Sequence, residues 1–155
     1  MKLIRFLLFP FAILYDLITS IRNFLFDVNV LKSTQFNIPV IAVGNLNVGG
    51  TGKTPQIEYL IKLLKNDYKV AVLSRGYKRK TKGFIVLNNS HSAENVGDEP
   101  LQFFKKFPSI QIAVDADRTN GISQLLNQEN KPNIILLDDA FQHRKVTAGF
   151  YVLLT

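Results

Sequence analysis

From residue 38 onward the apolar positions gather into short runs, separated by longer stretches where apolar and polar residues alternate with helical spacing. Residues 40–43, 70–73, 110–114 and 134–137 are rich in Val, Ile, Leu and Ala, with a shorter run at 84–86 and another at 150–154. Runs that short, with almost no polar residue inside them, predict strands covered on both faces, and hence a parallel sheet. The stretches between them predict helices at 54–65, 99–107 and 121–127, so the fold class is α/β, a mostly parallel sheet with helices on both faces. The run at 150–154 reads as one more buried strand. A sheet strand is an unusual place for a protein to end, so the chain is expected to be a piece of a longer one.

Residues 1–30 follow a different pattern. Phe6 to Tyr15 is continuously apolar, with Lys2 and Arg5 before it and Asp16 after it, and the segment from Ile18 to Phe26 is apolar again around Arg22. The first run is short for a membrane span and lacks the small-residue cleavage site of a signal peptide. With Pro10 near its middle, it predicts an interfacial helix or a broken hairpin at a membrane surface, against the alternative of a helix packed on the chain's own core. The expected organisation is therefore a membrane-associating helical segment over 1–31, a polar joint, and a core over 38–155.

The first strand of that core leads into the stretch with the densest chemistry. Val43-Gly44-Asn45-Leu46-Asn47-Val48-Gly49-Gly50-Thr51-Gly52-Lys53-Thr54-Pro55 is a strand, a glycine-rich turn and a helix start in succession, the context of a phosphate-binding loop. Backbone N–H groups curl around an anion only where side chains leave room, which Gly49, Gly50 and Gly52 provide. Asn47, Val48, Gly49, Gly50, Thr51, Gly52, Lys53 and Thr54 are thus the candidate nucleotide-binding residues. Lys53 reaches for the outer phosphates, and the Thr54 hydroxyl is placed for Mg²⁺. Asn47 stands where the general loop pattern has its first glycine, and asparagine tolerates the left-handed conformation better than most residues.

Composition narrows the partners. The net charge of +7 comes from dispersed residues, apart from Lys78-Arg79-Lys80-Thr81-Lys82, without the interleaved aromatics of a nucleic-acid surface. Anionic small molecules or anionic lipid fit better, and no nucleic-acid partner is expected. With no cysteine in its 155 residues, the chain has no disulfide, cysteine metal site or thiol nucleophile.

Further candidates stand at the ends of the predicted strands. Residues 134–137 end in Asp138-Asp139, and in an open α/β sheet the carboxyl ends of strands face one crevice, so either acid is a candidate Mg²⁺ ligand or a cap of the next turn. Arg75, after the strand at 70–73, suits a phosphate contact or a solvated surface. Asp98 and Glu99 precede a helix, as do Asp115 and Asp117. By pattern alone all four read as helix-terminal acids. His91 lies in a polar loop with no partner pattern.

The glycine-rich stretch, with Leu73-Ser74-Arg75-Gly76-Tyr77, Val96-Gly97-Asp98-Glu99-Pro100 and Leu137-Asp138-Asp139-Ala140-Phe141-Gln142-His143-Arg144, resembles the tetraacyldisaccharide 4′-kinase family over the whole chain. The resemblance implies a P-loop NTPase-like core and transfer of the ATP γ-phosphate to the 4′-hydroxyl of an acylated glucosamine disaccharide 1-phosphate. It also implies work at the cytoplasmic face of the inner membrane, whose surface residues 1–31 would contact. By the same resemblance Lys53 and Asp98 are catalytic, Asp98 as the base for the sugar hydroxyl. Thr54, Glu99, Asp138 and Asp139 serve Mg²⁺, and Arg75, Gln142 and His143 face the substrate. The family's histidine partner for Asp98 belongs to a later part of its chain, and His143 matches a different motif. Ala140 stands where the family usually has glycine.

Other readings of the loop fit less well. A partitioning- or maturation-type ATPase switch has a lysine where Val48 stands. A GTP-dependent switch needs glycine where Phe141 or Gln142 stands. A membrane-anchored binding module without catalysis is the remaining alternative, and acceptor-dependent turnover separates it from a kinase.

Overall fold

The computed structural model describes residues 2–46 and 52–155, with side chains from Phe9 onward. In chain order the elements are α1 (Lys2–Asp27), β1 (Thr34–Gln35), β2 (Val40–Asn45), α2 (Lys53–Leu64), β3 (Val70–Ser74), β4 (Ile85–Val86) and α3 (Ala93–Val96). They continue with α4 (Asp98–Lys106), β5 (Gln111–Val114), α5 (Arg118–Leu126), β6 (Ile134–Leu137), β7 (Val146–Thr147) and β8 (Phe150–Leu154). The chain divides into two compact units, Met1–Ser33 and Thr34–Thr155.

In the larger unit a six-stranded sheet has the order β4-β5-β3-β6-β2-β8, and every pairing is parallel except β4 with β5. Successive strand residues point to opposite faces, so the apolar runs feed two cores. Val43, Val70, Val72, Ile112, Val114, Ile134 and Leu136 pack with Ile57 and Ile61 of α2 and Phe103 of α4. Ala42, Ala71, Leu73, Ala113, Ile135 and Leu137 pack with Ile122 and Leu125 of α5. Helices on both faces are what fully apolar strands require, and the α/β class expected from the sequence, a mostly parallel sheet with helices on both faces, is the class observed.

Where expectation and structure differ, the causes are local. Helix α5 starts at Arg118 rather than near 121, because Asp117 caps it by accepting hydrogen bonds from the Thr119 and Asn120 N–H groups. The four-residue α3 was not expected from apolar spacing. It is closed by Asn95, whose Oδ1 accepts from the Ser92 N–H at 3.1 Å. Part of the polar joint pairs as β1 with β7, two residues from each strand.

The smaller unit is one helix. Of the helix and the broken hairpin left open around Pro10, the helix is formed, and the 26-residue α1 runs through Pro10. A single proline removes one intrahelical hydrogen bond, and the turns on either side keep theirs. Residues Phe9–Asp27 form a 19-residue stretch of mean hydropathy 1.2, long and apolar enough to cross a membrane by length and composition. Phe9, Phe11, Ile13, Tyr15, Ile18 and Phe24 are all exposed on it.

Helix α5 approaches the sheet through Gly121, where an added Cβ would stand 2.7 Å from Leu73 Cδ2 and 3.1 Å from Asp115 Cβ. Leu73 is fully buried in the core on this face of the sheet, so a shift of its methyl groups would press on its neighbours there. Gly121→Ala is therefore expected to lower the unfolding free energy by about 1–3 kcal/mol despite the better helix propensity of alanine. Urea denaturation of the variant against the parent measures it, and a stabilised variant would contradict this packing.

Candidate active site

The site forms where β2 and β6 run side by side, with Ala42 opposite Leu137. Parallel neighbours end on the same edge, so the turn leaving β2 and the Asp138-Asp139 turn leaving β6 meet there. Residues 47–51, which hold Asn47, Val48, Gly49, Gly50 and Thr51 of the expected phosphate cradle, lie outside the described residues. The cradle's end is described. Gly52 takes a left-handed conformation (φ 84°) at the N-cap of α2, and Lys53 and Thr54 are the first two helical residues, both half-buried.

Lys53 reaches across the strand ends. Its Nζ donates to Asp139 Oδ1 at 2.8 Å and to Asn45 Oδ1 at 3.3 Å. The turn that presents Asp139 is tied on both sides. The Asp138 N–H donates to the Leu73 carbonyl and the Ala140 N–H to the Val43 carbonyl, each at 3.1 Å. Between these ties Asp139 adopts φ 50°, a left-handed conformation that aspartate tolerates at a turn. Its carboxylate is largely exposed.

Asp138 points the other way, into the protein. It is 3% exposed and accepts a hydrogen bond from Ser74 Oγ at 3.0 Å through Oδ2. Burial, and secondarily the charge of Glu99, raises its carboxyl from the ordinary 3.8 to about 6; the Ser74 hydrogen bond opposes the shift.

Two glycines with positive φ bring the Asp98-Glu99 acids to the same edge. A Cβ on Gly97 (φ 94°) would meet the Tyr77 carbonyl at 3.1 Å and the Gly76 backbone at 3.2 Å. A Cβ on Gly76 (φ 70°) would meet the Val96 carbonyl at 2.8 Å. The start of α4 thereby lies against the loop that follows Ser74. Asp98 and Glu99 are the first two residues of α4 and both are exposed, and no side chain caps that helix. Arg75 is exposed on the facing loop.

Gln142 and His143 lie in a run of tight turns, where the His143 N–H donates to the Ala140 carbonyl and the Val146 N–H to the His143 carbonyl. His91 closes a surface turn by accepting from the Asn88 N–H at 3.1 Å.

Asn45, Ser74 and Arg118 at this edge were not given a role by sequence pattern. Asn45 and Ser74 are the last residues of their strands, and each makes a side-chain hydrogen bond to or beside the Asp138-Asp139 turn. Asp115 was read only as a helix-terminal acid. It is buried and accepts from the Asp117 N–H at 3.0 Å and from Asn120 Nδ2 at 2.6 Å. Arg118 is 1% exposed, and its Nη2 donates to the Asp138 carbonyl at 3.0 Å. Nothing in the apolar spacing distinguishes it from a solvated arginine at the start of a helix.

Among the described residues no three His, Asp or Glu side chains stand together as a metal cage. The oxygen donors at the edge are divided between the buried Asp138, the half-buried Thr54 and the exposed Glu99 and Asp139. That division suits a cation that takes only one or two protein carboxylates and fills its remaining positions with phosphate oxygens and water, as Mg²⁺ does. The Asp138 carboxyl is raised first by burial and then by the nearby charge of Glu99, and a bound cation would oppose both effects.

Comparison with known proteins places this edge in a family. The family model described as tetraacyldisaccharide-1-P 4′-kinase matches residues 4–155. A tetraacyldisaccharide 4′-kinase of Flavobacterium johnsoniae is 70% identical over 155 residues, covering 100% of this chain and 46% of that protein. Another from Parabacteroides distasonis is 55% identical over 151 residues, covering 96% and 41%. The crystal structure of LpxK from Aquifex aeolicus in complex with ATP matches with a TM-score of 0.87 at 43% identity, covering 97% of this chain and 48% of that one. The chain spans about half the length of the relatives it matches.

The environment of Asp138 makes stability depend on pH. The unfolded chain releases this proton near 3.8 and the folded chain near 6, so the folded state binds more protons between those values and loses stability as pH rises through them. Two units correspond to about 3 kcal/mol. Asp138→Asn keeps an oxygen for Ser74 and removes the charge. It is expected to flatten the stability profile between about pH 4 and 6 and to stabilise the metal-free protein at pH 7. Urea midpoints measured in EDTA across that range decide, and a variant with the parental slope would contradict the buried, charge-crowded setting.

Proposed function

We propose, since this chain belongs to the tetraacyldisaccharide-1-P 4′-kinase family, that it binds ATP and transfers the γ-phosphate to the 4′-hydroxyl of an acylated glucosamine disaccharide 1-phosphate. The observation that carries the reading is Lys53 at the mouth of α2, held 2.8 Å from Asp139 at the end of the neighbouring strand. That is the pairing of a phosphate-loop lysine with a strand-end acid. The ATP in the Aquifex aeolicus LpxK crystal structure supports the choice of nucleotide.

In this reading the loop amides of residues 47–52 and the positive end of α2 receive the phosphates. Lys53 leaves Asp139 for the β- and γ-phosphate oxygens, which carry more negative charge than one carboxylate. Thr54, Glu99, Asp138 and Asp139 are the residues that would hold Mg²⁺, which supplies charge neutralisation on the phosphates. Asp98, exposed where α4 meets the Ser74 loop, takes the proton of the attacking sugar hydroxyl. The new bond forms between the 4′-oxygen and the γ-phosphorus as the bond to the β–γ bridging oxygen breaks, and ADP departs. Arg75, Gln142 and His143 line the acceptor side, where cationic and amide groups suit phosphate and sugar oxygens.

The acceptor is an acylated lipid, and α1 gives this chain a means of meeting it. Its exposed Phe, Ile, Leu and Tyr side chains suit the acyl boundary of a bilayer. Residues 1–31 are thus the membrane-associating segment and 38–155 the kinase core, working at the cytoplasmic face of the inner membrane.

The test follows γ-labelled phosphate in the intact protein, with and without the acylated disaccharide. Transfer to the acceptor is expected, with little phosphate released to water. Asp98→Ala is expected to cut kcat by about 10²–10⁴-fold while ATP affinity and melting temperature stay close to the parent's. Acceptor-independent phosphate release at the same rate would contradict the kinase reading, and a lowered melting temperature with normal kcat would make Asp98 a helix-terminal acid only.

A further inference from the structure

Arg118 is the largest fully buried side chain at the site edge, and its placement is costly. Burial lowers its pKa to about 10. Among the described residues its Nε has no hydrogen-bond partner, so the guanidinium is held at the expense of one unsatisfied buried donor. Arginine side chains are rarely this buried unless paired, and a purely space-filling role at this position would be met by an apolar side chain of similar volume. The charge and the fork of donors therefore point to a specific task.

The fork bridges two strand ends. Nη1 donates to the Asp115 carbonyl, just after β5, and Nη2 donates to the Asp138 carbonyl, just after β6. Strand β3 lies between β5 and β6 in the sheet, so the guanidinium spans its tip, where Ser74 holds the Asp138 side chain. Asp138, Asp139 and Asp115 act on the guanidinium as favourable charges, and Arg75 opposes them. One cation thus lies beneath the turn that carries both strand-end acids.

We propose that Arg118 is the positioning residue of the site: by holding the Asp138 carbonyl from below, it fixes the Asp138-Asp139 turn so that Asp139 meets Lys53 and Asp138 stays turned toward Ser74. Without that hold the backbone of the turn is tied by the Asp138 and Ala140 amides, with Ser74 and Lys53 holding the two side chains, and the Asp138 carbonyl that precedes Asp139 loses the Arg118 donor. The effect on the reaction rests on the kinase reading above, whereas the effect on the turn does not.

Arg118→Lys keeps the charge and at most one of the two donations, and Arg118→Met keeps neither. Both are made in the intact protein and examined by amide exchange and by acceptor-dependent turnover. In Arg118→Lys the amides of residues 138–140 are expected to exchange at least tenfold faster, while those of central strand β3 stay protected. ATP Kd is expected to change by less than about twofold, because Arg118 does not touch the phosphates. Turnover per folded molecule is expected to fall about tenfold to 10²-fold, the cost of a displacement of about 1 Å at a reacting site, and more in Arg118→Met. A variant that melts earlier but keeps parental kcat and parental exchange at 138–140 would overturn the proposal and leave Arg118 a structural residue. If the parent itself shows no acceptor-dependent transfer, the kinase reading fails. The exchange of residues 138–140 then still decides on the positioning role, and parental protection there would overturn it.

Discussion

The pairing of β2 with β6 is the constraint on which the rest of this chain depends. Two strands separated by most of the sequence lie side by side in parallel, and their shared edge brings Lys53 within 2.8 Å of an acid 86 residues later. The pairing is held by burial on both faces, since Ala42, Val43, Leu136 and Leu137 are at most 2% exposed. Hydrophobic burial sets the register to within one residue, because a slip would turn every side chain to the opposite core. The polar chemistry at the edge inherits that precision without supplying it.

Around the pairing, the edge is a balance of charges that burial makes sharp. Asp138 is turned inward and kept there by Ser74, with its carboxyl raised by burial and by Glu99. Arg118 lies buried on the same side, and Lys53 covers Asp139 on the exposed side. Removing a single member leaves another buried group without its counterpart, which is why such clusters respond to substitution more than surface pairs do. Gly76 and Gly97 add the third requirement, since only residues without a Cβ let the start of α4 lie against the Ser74 loop.

The sequence disclosed this arrangement unevenly, for physical reasons. The strands at 40–43, 70–73 and 134–137 were legible because a strand covered on both faces has no place for polar residues. The glycines before Lys53 and the acids after residue 137 were legible because phosphate chemistry and strand-end turns restrict residue type. Arg118 was not, because a buried cation leaves no periodic trace and its partners are backbone carbonyls, which carry no sequence identity. The pairing of β1 with β7 was hidden because two-residue strands are too short to show alternation. Pro10 left a broken hairpin open beside a helix for residues 1–31, because a proline's local cost says little about whether a long helix continues past it.

Exchange of the Asp139 carboxylate for nucleotide phosphate on Lys53 is tested by calorimetric binding of ATP without added metal to the parent, Lys53→Met and Asp139→Asn. Binding at least tenfold weaker is expected for Lys53→Met, a loss of about 1.4 kcal/mol or more. Equal or tighter binding is expected for Asp139→Asn, in which no carboxylate competes for the lysine. Parental affinity in Lys53→Met would contradict the account.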